Sequence, residues 1–185
     1  MKNILYTIVL SLLLISCSDD KKVIAYKETK ALAEQGDAEA QHTLGRMYVN
    51  GEGVTQDDKE AVRWWRLAAE QGNANSQTTL GVSYKNGEGV TQDDKEAVRW
   101  WRLAAEQGHL IGQAALCIMY DKGEGVKQDY VIAYMWCNVS DTTSGIDLSD
   151  LDTRTKLVKK MTSEQIAKAQ ELARECIKKN YKDCG

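Results

Sequence analysis

The sequence predicts an all-α fold, a solenoid of stacked helix pairs closed by a C-terminal helical cap. Three observations predict it. Gly36, Gly72 and Gly108 are spaced by 36 residues, and Asn50 to Gly72 recurs letter for letter at Asn86 to Gly108. Proline is absent from all 185 residues, while Ala, Leu, Gln, Glu, Lys and Arg are plentiful. A fixed period of this length marks helical arrays, because one helix pair cannot bury its own apolar stripe and must stack on neighbours. The composition favours helix over strand throughout.

Met1 to Asp20 reads as an address. Lys2 gives a positive start, and Ile4 to Ile15 is a mostly apolar run. That run is too short to span a bilayer, which takes about 20 residues, and has the length of a signal-peptide core. Residues 1–16 are therefore expected to be a signal peptide, followed by a tether over 17–24.

Residues 25–35 form an N-terminal half repeat: Ala25, Ala33, Glu34 and Gln35 match Ala61, Ala69, Glu70 and Gln71. Full repeats follow at 36–71 and 72–107. In each, the first helix begins beside a candidate N-cap, Asp37 or Asn73. Ala40, Leu44 and Tyr48 then fall on one face, as do Ser76, Leu80 and Tyr84. Gly45 and Gly81 sit beside that stripe, where a mid-helix glycine suggests close approach between helix backbones. Gly51 suits a left-handed helix cap. The second helix opens at Asp57, with Glu60 three residues on, a pair repeated at Asp93 and Glu96. Ala61, Trp64, Trp65 and Ala68 form its buried stripe.

A diverged copy covers 108–141. It keeps Leu116, Tyr120, Gly123-Glu124-Gly125-Val126, Gln128-Asp129, Ala133 and Trp136. Capping helices are expected over 142–185: a loop at Thr142 to Gly145, a helix from Leu148 to Lys160, and a second helix from Ser163 to about Lys179. Thr162 and Gln165 form a capping box at the start of that second helix.

Leu44-Gly45, Tyr48, Gly51-Glu52-Gly53-Val54, Asp57, Ala61, Trp64 and Ala68-Ala69-Glu70-Gln71-Gly72 resemble the Sel-1-like repeat, a relative of the tetratricopeptide repeat. Tyr134-Met135-Trp136 and Met161 to Gln165 resemble the last repeat and cap of bacterial members. The third copy departs from the pattern at Val131, Ile132 and Cys137. The resemblance implies a right-handed α-α superhelix that serves as a non-enzymatic adaptor for a protein or peptide. Leu14-Ile15-Ser16-Cys17 resembles a lipobox, which implies cleavage before Cys17 and lipidation of its thiol. The chain would then be anchored in a bacterial envelope membrane, with the repeats facing the periplasm or exterior. Ser18 resembles an outer-membrane sorting signal and Asp19 an inner-membrane one, so the membrane is left open.

Chemistry-bearing patterns are few. The net charge of −3, from 24 basic and 27 acidic residues, argues against a nucleic-acid binder. Gly-Glu-Gly-Val lacks the Lys-Ser/Thr of a phosphate loop. No zinc spacing is present, so neither metal nor cofactor is expected. His42 and His109 have no nucleophile in sequence reach, and Asp57-Asp58 and Asp93-Asp94 are placed to serve helix N-termini. Trp64, Trp65, Trp100, Trp101 and Trp136 recur once per repeat position and read as core. Cys176 and Cys184 are a candidate disulfide. Cys117 and Cys137 match Gly45 and Trp65 and read as buried free thiols. Some cysteine-rich members of the resembled family bind or cleave β-lactams and carry a disulfide in each repeat; that alternative reading is weakened by the missing cysteine ladder.

The partner-binding face is expected on the first helix of each repeat, opposite the buried stripe. It comprises His42, Arg46 and Asn50, then Thr78, Val82 and Asn86, then Ala114, Ile118 and Lys122. This side turns more apolar along the chain, from Arg46 through Val82 to Ile118, and suits a helix or extended peptide with one apolar end.

Overall fold

A computed structural model describes residues 20–144 and 152–184 of the chain. The segment expected to be a signal peptide, Cys17, Gly145 of the expected loop and Leu148 to Leu151 lie outside the described residues. Every regular element among the described residues is a helix. The opening helix, α1, covers 20–34. It is followed by α2 (Ala38–Asn50), α3 (Asp58–Glu70), α4 (Ala74–Asn86), α5 (Asp94–Ala105), α6 (Leu110–Lys122), α7 (Tyr130–Ser144), α8 (Asp152–Val158) and α9 (Ser163–Lys178). No described helix is long and apolar enough to cross a membrane. The chain divides into two compact units, the first ending at Asn73 and the second beginning at Ala74.

In the first unit, α2 starts where the Asp37 carboxylate accepts the backbone N–H of Ala40. It ends at Gly51, whose φ of 67° is left-handed. Asp57 then accepts the N–H groups of Lys59 and Glu60 and opens α3. Ala33 of α1, Ala40, Leu44 and Met47 of α2, and Trp64 of α3 form the core, with Tyr26 and Tyr48 packed against it. Helix α1 thus spans the expected half repeat and begins earlier, taking in residues 20–24 of the expected tether. Gly53 lies so close to the Lys22 carbonyl that any side chain there would overlap it.

The second unit repeats these devices. Asp93 caps α5, and Asp129 accepts the N–H groups of Val131 and Ile132 to open α7. Gly123 ends α6 at φ 72°. Gly125 lies against the Asp94 carbonyl, the contact that Gly53 makes with Lys22. Helices α4 and α5 pair, α5 packs on α6, α6 pairs with α7, and α9 closes the stack against α7. Trp101, Leu116, Trp136, Leu157, Ala169 and Cys176 share one core. Thr162 and Gln165 form the expected capping box, with both reciprocal bonds made.

Three expectations need correction. Gly45 and Gly81 do not bring helix backbones together; each makes room for an indole. A methyl group at Gly45 would overlap the Trp65 ring, and one at Gly81 the Trp101 ring. Thr142, Thr143 and Ser144 are not a loop but the last residues of α7. The Thr142 hydroxyl bonds back to the Asn138 carbonyl at 2.9 Å, which a threonine can do without leaving the helix. Finally, Cys117 and Cys137 are not free thiols: they form a disulfide, with Cα atoms 5.3 Å apart. The paired helices bring these positions within bridging range. Cys176 and Cys184 are also bonded, across the end of α9.

Two outcomes test this packing. Gly81→Ala adds a methyl under the Trp101 ring, and denaturant melts are expected to show a loss of about 2 kcal/mol despite the better helix propensity. Peptide mapping of the unreduced protein is expected to recover Cys117 with Cys137 and Cys176 with Cys184. Removing the first pair by Cys→Ser substitution should cost about 2–4 kcal/mol.

A candidate partner-binding face on the first helices of the repeats

The buried side of each first helix is fixed by a repeated set of polar and apolar contacts. Trp65 Nε1 donates to the His42 carbonyl at 3.1 Å, and Trp101 Nε1 donates to the Thr78 carbonyl at 3.2 Å. Gln41 is buried, and its amide donates to the Ala33 carbonyl at 3.1 Å. Its Oε1 accepts from Gln71 at 2.7 Å. Gln107 and Gln77 make the same side-chain pair at 2.8 Å, and Gln113 repeats the bond to the Ala105 carbonyl. With these contacts pinning one side, the other side of each helix is set in space.

The expected face residues then separate. In the first unit Arg46 and Asn50 are exposed and His42 is half-buried. In the second unit Val82 and Ile118 are 39% and 37% exposed, Asn86 and Lys122 are exposed, and Ala114 is half-buried. Thr78 is buried. Its hydroxyl lies 2.9 Å from the Ala74 carbonyl and 3.0 Å from His109 Nδ1, so Thr78 supports the face from beneath. Asn50 and Asn86 are steered by Glu52 and Glu88, at 2.8 and 3.0 Å. All five tryptophans are buried, as expected of core residues. Trp64, Trp100 and Trp136 bury their indole N–H without a partner among the described residues.

Burial lowers the His109 pKa. It also lowers that of His42, against the pull of Glu39 and with the help of Arg46. The His109 ring lies within hydrogen-bond distance of Asn75 Oδ1 through Nε2, at 3.2 Å, and of the Thr78 hydroxyl through Nδ1, at 3.0 Å. It therefore ties the start of α6 to α4. Among the described residues no cluster of three His, Cys, Asp or Glu side chains could hold a metal ion.

One feature of this region escaped the sequence. A small cavity in the third repeat is lined by Ala114, Cys117, Ile118, Cys137 and Ser140, with Asp141 and Arg154 also on its wall. The signal was present: Gly45 and Trp65 of the first repeat, and Gly81 and Trp101 of the second, change together to Cys117 and Cys137 in the third. A paired change at touching positions points to one contact replaced by another.

A pH test follows from His109. Its folded pKa lies below the unfolded value of about 6.5, so the unfolded chain takes up the proton first. The stability that depends on the neutral ring is complete above that value and is lost as pH falls from there through the lowered folded pKa. His109→Asn, which installs the residue found at position 73, is expected to reduce the fall in Tm between about pH 7.5 and 5.5 by a few degrees. Thermal melts of both proteins across that range check it.

Comparison with known proteins agrees with this geometry. The Sel1 repeat family model matches residues 38–73, 74–109 and 110–138. The crystal structure of c5321, a protective antigen present in uropathogenic Escherichia coli strains and displaying an SLR fold, is similar with a TM-score of 0.76 and 35% identity. The match covers 86% of this chain and 34% of that one, so this chain spans about a third of that protein's length. A Sel1 repeat protein from Oxalobacter formigenes is similar with a TM-score of 0.62 and 36% identity, covering 72% of this chain and 96% of that one. No curated protein matches the chain in sequence. The fold is an all-α solenoid of the kind that generally serves as a protein–protein interaction scaffold. Three matched repeats, with a glycine-seated tryptophan in each of the first two, place the chain in the Sel1 repeat family.

Proposed function

We propose that the chain is a non-enzymatic adaptor that holds a protein or peptide partner at the cell envelope. The observation that carries this reading is the exposure of Val82 and Ile118 at equivalent positions of α4 and α6. Neither belongs to the buried core of the second unit. Asn86 and Lys122, one turn further on, are also exposed. Apolar side chains left open beside polar ones suit a peptide that buries a few anchors and bonds at its edges. In this reading Cys17 carries the lipid, and the repeats face away from an inner or outer membrane.

The alternative of a β-lactam-binding protein gains no support from the cysteines. The Cys117–Cys137 bond takes the place of Gly81 and Trp101 in one repeat, so no ladder of bonds runs through the array.

Crosslinking and affinity capture from intact cells test the proposal, with the native chain set beside the Arg46→Glu, Ile118→Arg double variant. A protein captured by the native chain and lost from the folded variant is the expected result. An unchanged catch, or none, would sink it.

A further inference from the structure

The third repeat lacks a part that the first two possess. In those, a tryptophan side chain fills the space over a bare glycine and sends its N–H to the carbonyl of residue 42 or 78. In the third, the ring is gone and two bonded sulfur atoms stand in its place. A disulfide is smaller than an indole, and a cavity of about 30 Å³ is left beneath an open mouth. Its wall includes Ala114, Cys117 and Cys137, which occupy the positions of Thr78, Gly81 and Trp101.

The cavity also contains a polar group with nothing to bond. Ser140 is 2% exposed and lines the space. Its hydroxyl has no hydrogen-bond partner among the described residues. The same position is alanine in the other repeats, at 68 and 104. A buried hydroxyl without a partner costs free energy whether or not an apolar group fills the space; it marks the repeat that has lost its plug and does not select the guest. Arg154 and Asp141 form an ion pair on the same wall, which leaves no net charge there. Ile118 stands at the cavity and is itself exposed, and Val82 is its counterpart one repeat earlier.

We propose that this cavity is a side-chain pocket, and that it receives the tip of one aliphatic residue from a polypeptide lying along α4 and α6. The inference rests on the partner-binding reading and states what the partner must present. The space has no room for a second aromatic ring, and its lining is largely apolar, so the guest is an aliphatic tip. A polypeptide is the fitting source, because a polypeptide side chain is what fills this slot in the preceding repeats. Exposed Val82 and Ile118 extend the apolar contact beyond a single residue. Lys122, one turn past Ile118 on α6, is exposed and favours an acidic residue beside the aliphatic one.

The test uses a displayed library of random peptides, selected on the purified protein and then measured as single synthetic peptides. The expected peptides share an aliphatic residue, and its replacement by alanine weakens binding on the order of tenfold. The decisive variant is Cys117→Gly with Cys137→Trp, which restores the plug of the other repeats. It is expected to weaken binding by a similar factor, and Val82→Arg is expected to weaken it too. If the plugged variant does not fold, Ser140→Val fills the cavity from its floor and serves the same purpose. Peptides that bind plugged and native protein equally would overturn the pocket. If those peptides were still lost with Val82→Arg, the binding face would stand without it. Peptides insensitive to both changes, or no peptides at all, would overturn the face and the pocket together.

Discussion

The seating of one indole on one glycine is the contact on which each of the first two repeats depends. Trp65 and Trp101 come from the second helix of a pair, and Gly45 and Gly81 from the first. The bare glycine lets the ring come close against the helix, and the ring N–H finds a carbonyl within bonding distance. One side chain thus fixes the spacing of the two helices, their rotation and their register. The adjacent tryptophans, Trp64 and Trp100, are equally buried but donate to nothing among the described residues. They contribute packed area, with Arg63 and Arg99 lying over their faces at 5.0 and 4.0 Å. Two neighbouring residues of one type therefore do different work.

Around that contact, polar groups are bonded in a pattern that repeats with the chain. Gln41 and Gln113 reach the last turn of the preceding helix, and Gln71 and Gln107 cover Gln41 and Gln77 from the other side. Buried amides are tolerated because each finds a partner. The pattern fails at the third repeat, where Gln113 Oε1 has no partner among the described residues. The same repeat loses the indole and gains Ser140. Its departures cluster on one side of α6 and α7, which is why the open face and the cavity meet there.

Much of this was legible in the sequence. The period set the helix pairs. Asp37, Asp57, Asp93 and the Thr162–Gln165 box announced helix starts, because capping is a local matter of a few residues. The open positions Arg46, Val82 and Ile118 followed from the angular spacing of a helix. Other features were hidden because they depend on which elements touch. Thr78 sits on the side read as open, yet the neighbouring His109 covers it, and no helical wheel of α4 alone includes that neighbour. Thr142 to Ser144 resemble a loop in composition, but α7 continues through them. The role of Gly45 was misread because a glycine shows only that something comes close. Trp65, twenty residues on, says what it is. The cysteines were hardest: packing positions imply burial, and burial alone does not distinguish a thiol from a bond.

The Cys117–Cys137 bond also has a consequence for where the molecule is stable. The first two repeats are clasped by side-chain packing, which forms wherever the chain can fold. The third repeat has no ring to seat and relies on a covalent link between α6 and α7. Where thiols are kept reduced, that repeat has neither plug nor clasp, and the cap formed by α9 rests on it. The stability of the C-terminal half is therefore tied to the redox state of its surroundings, whereas that of the first two repeats is set by packing alone.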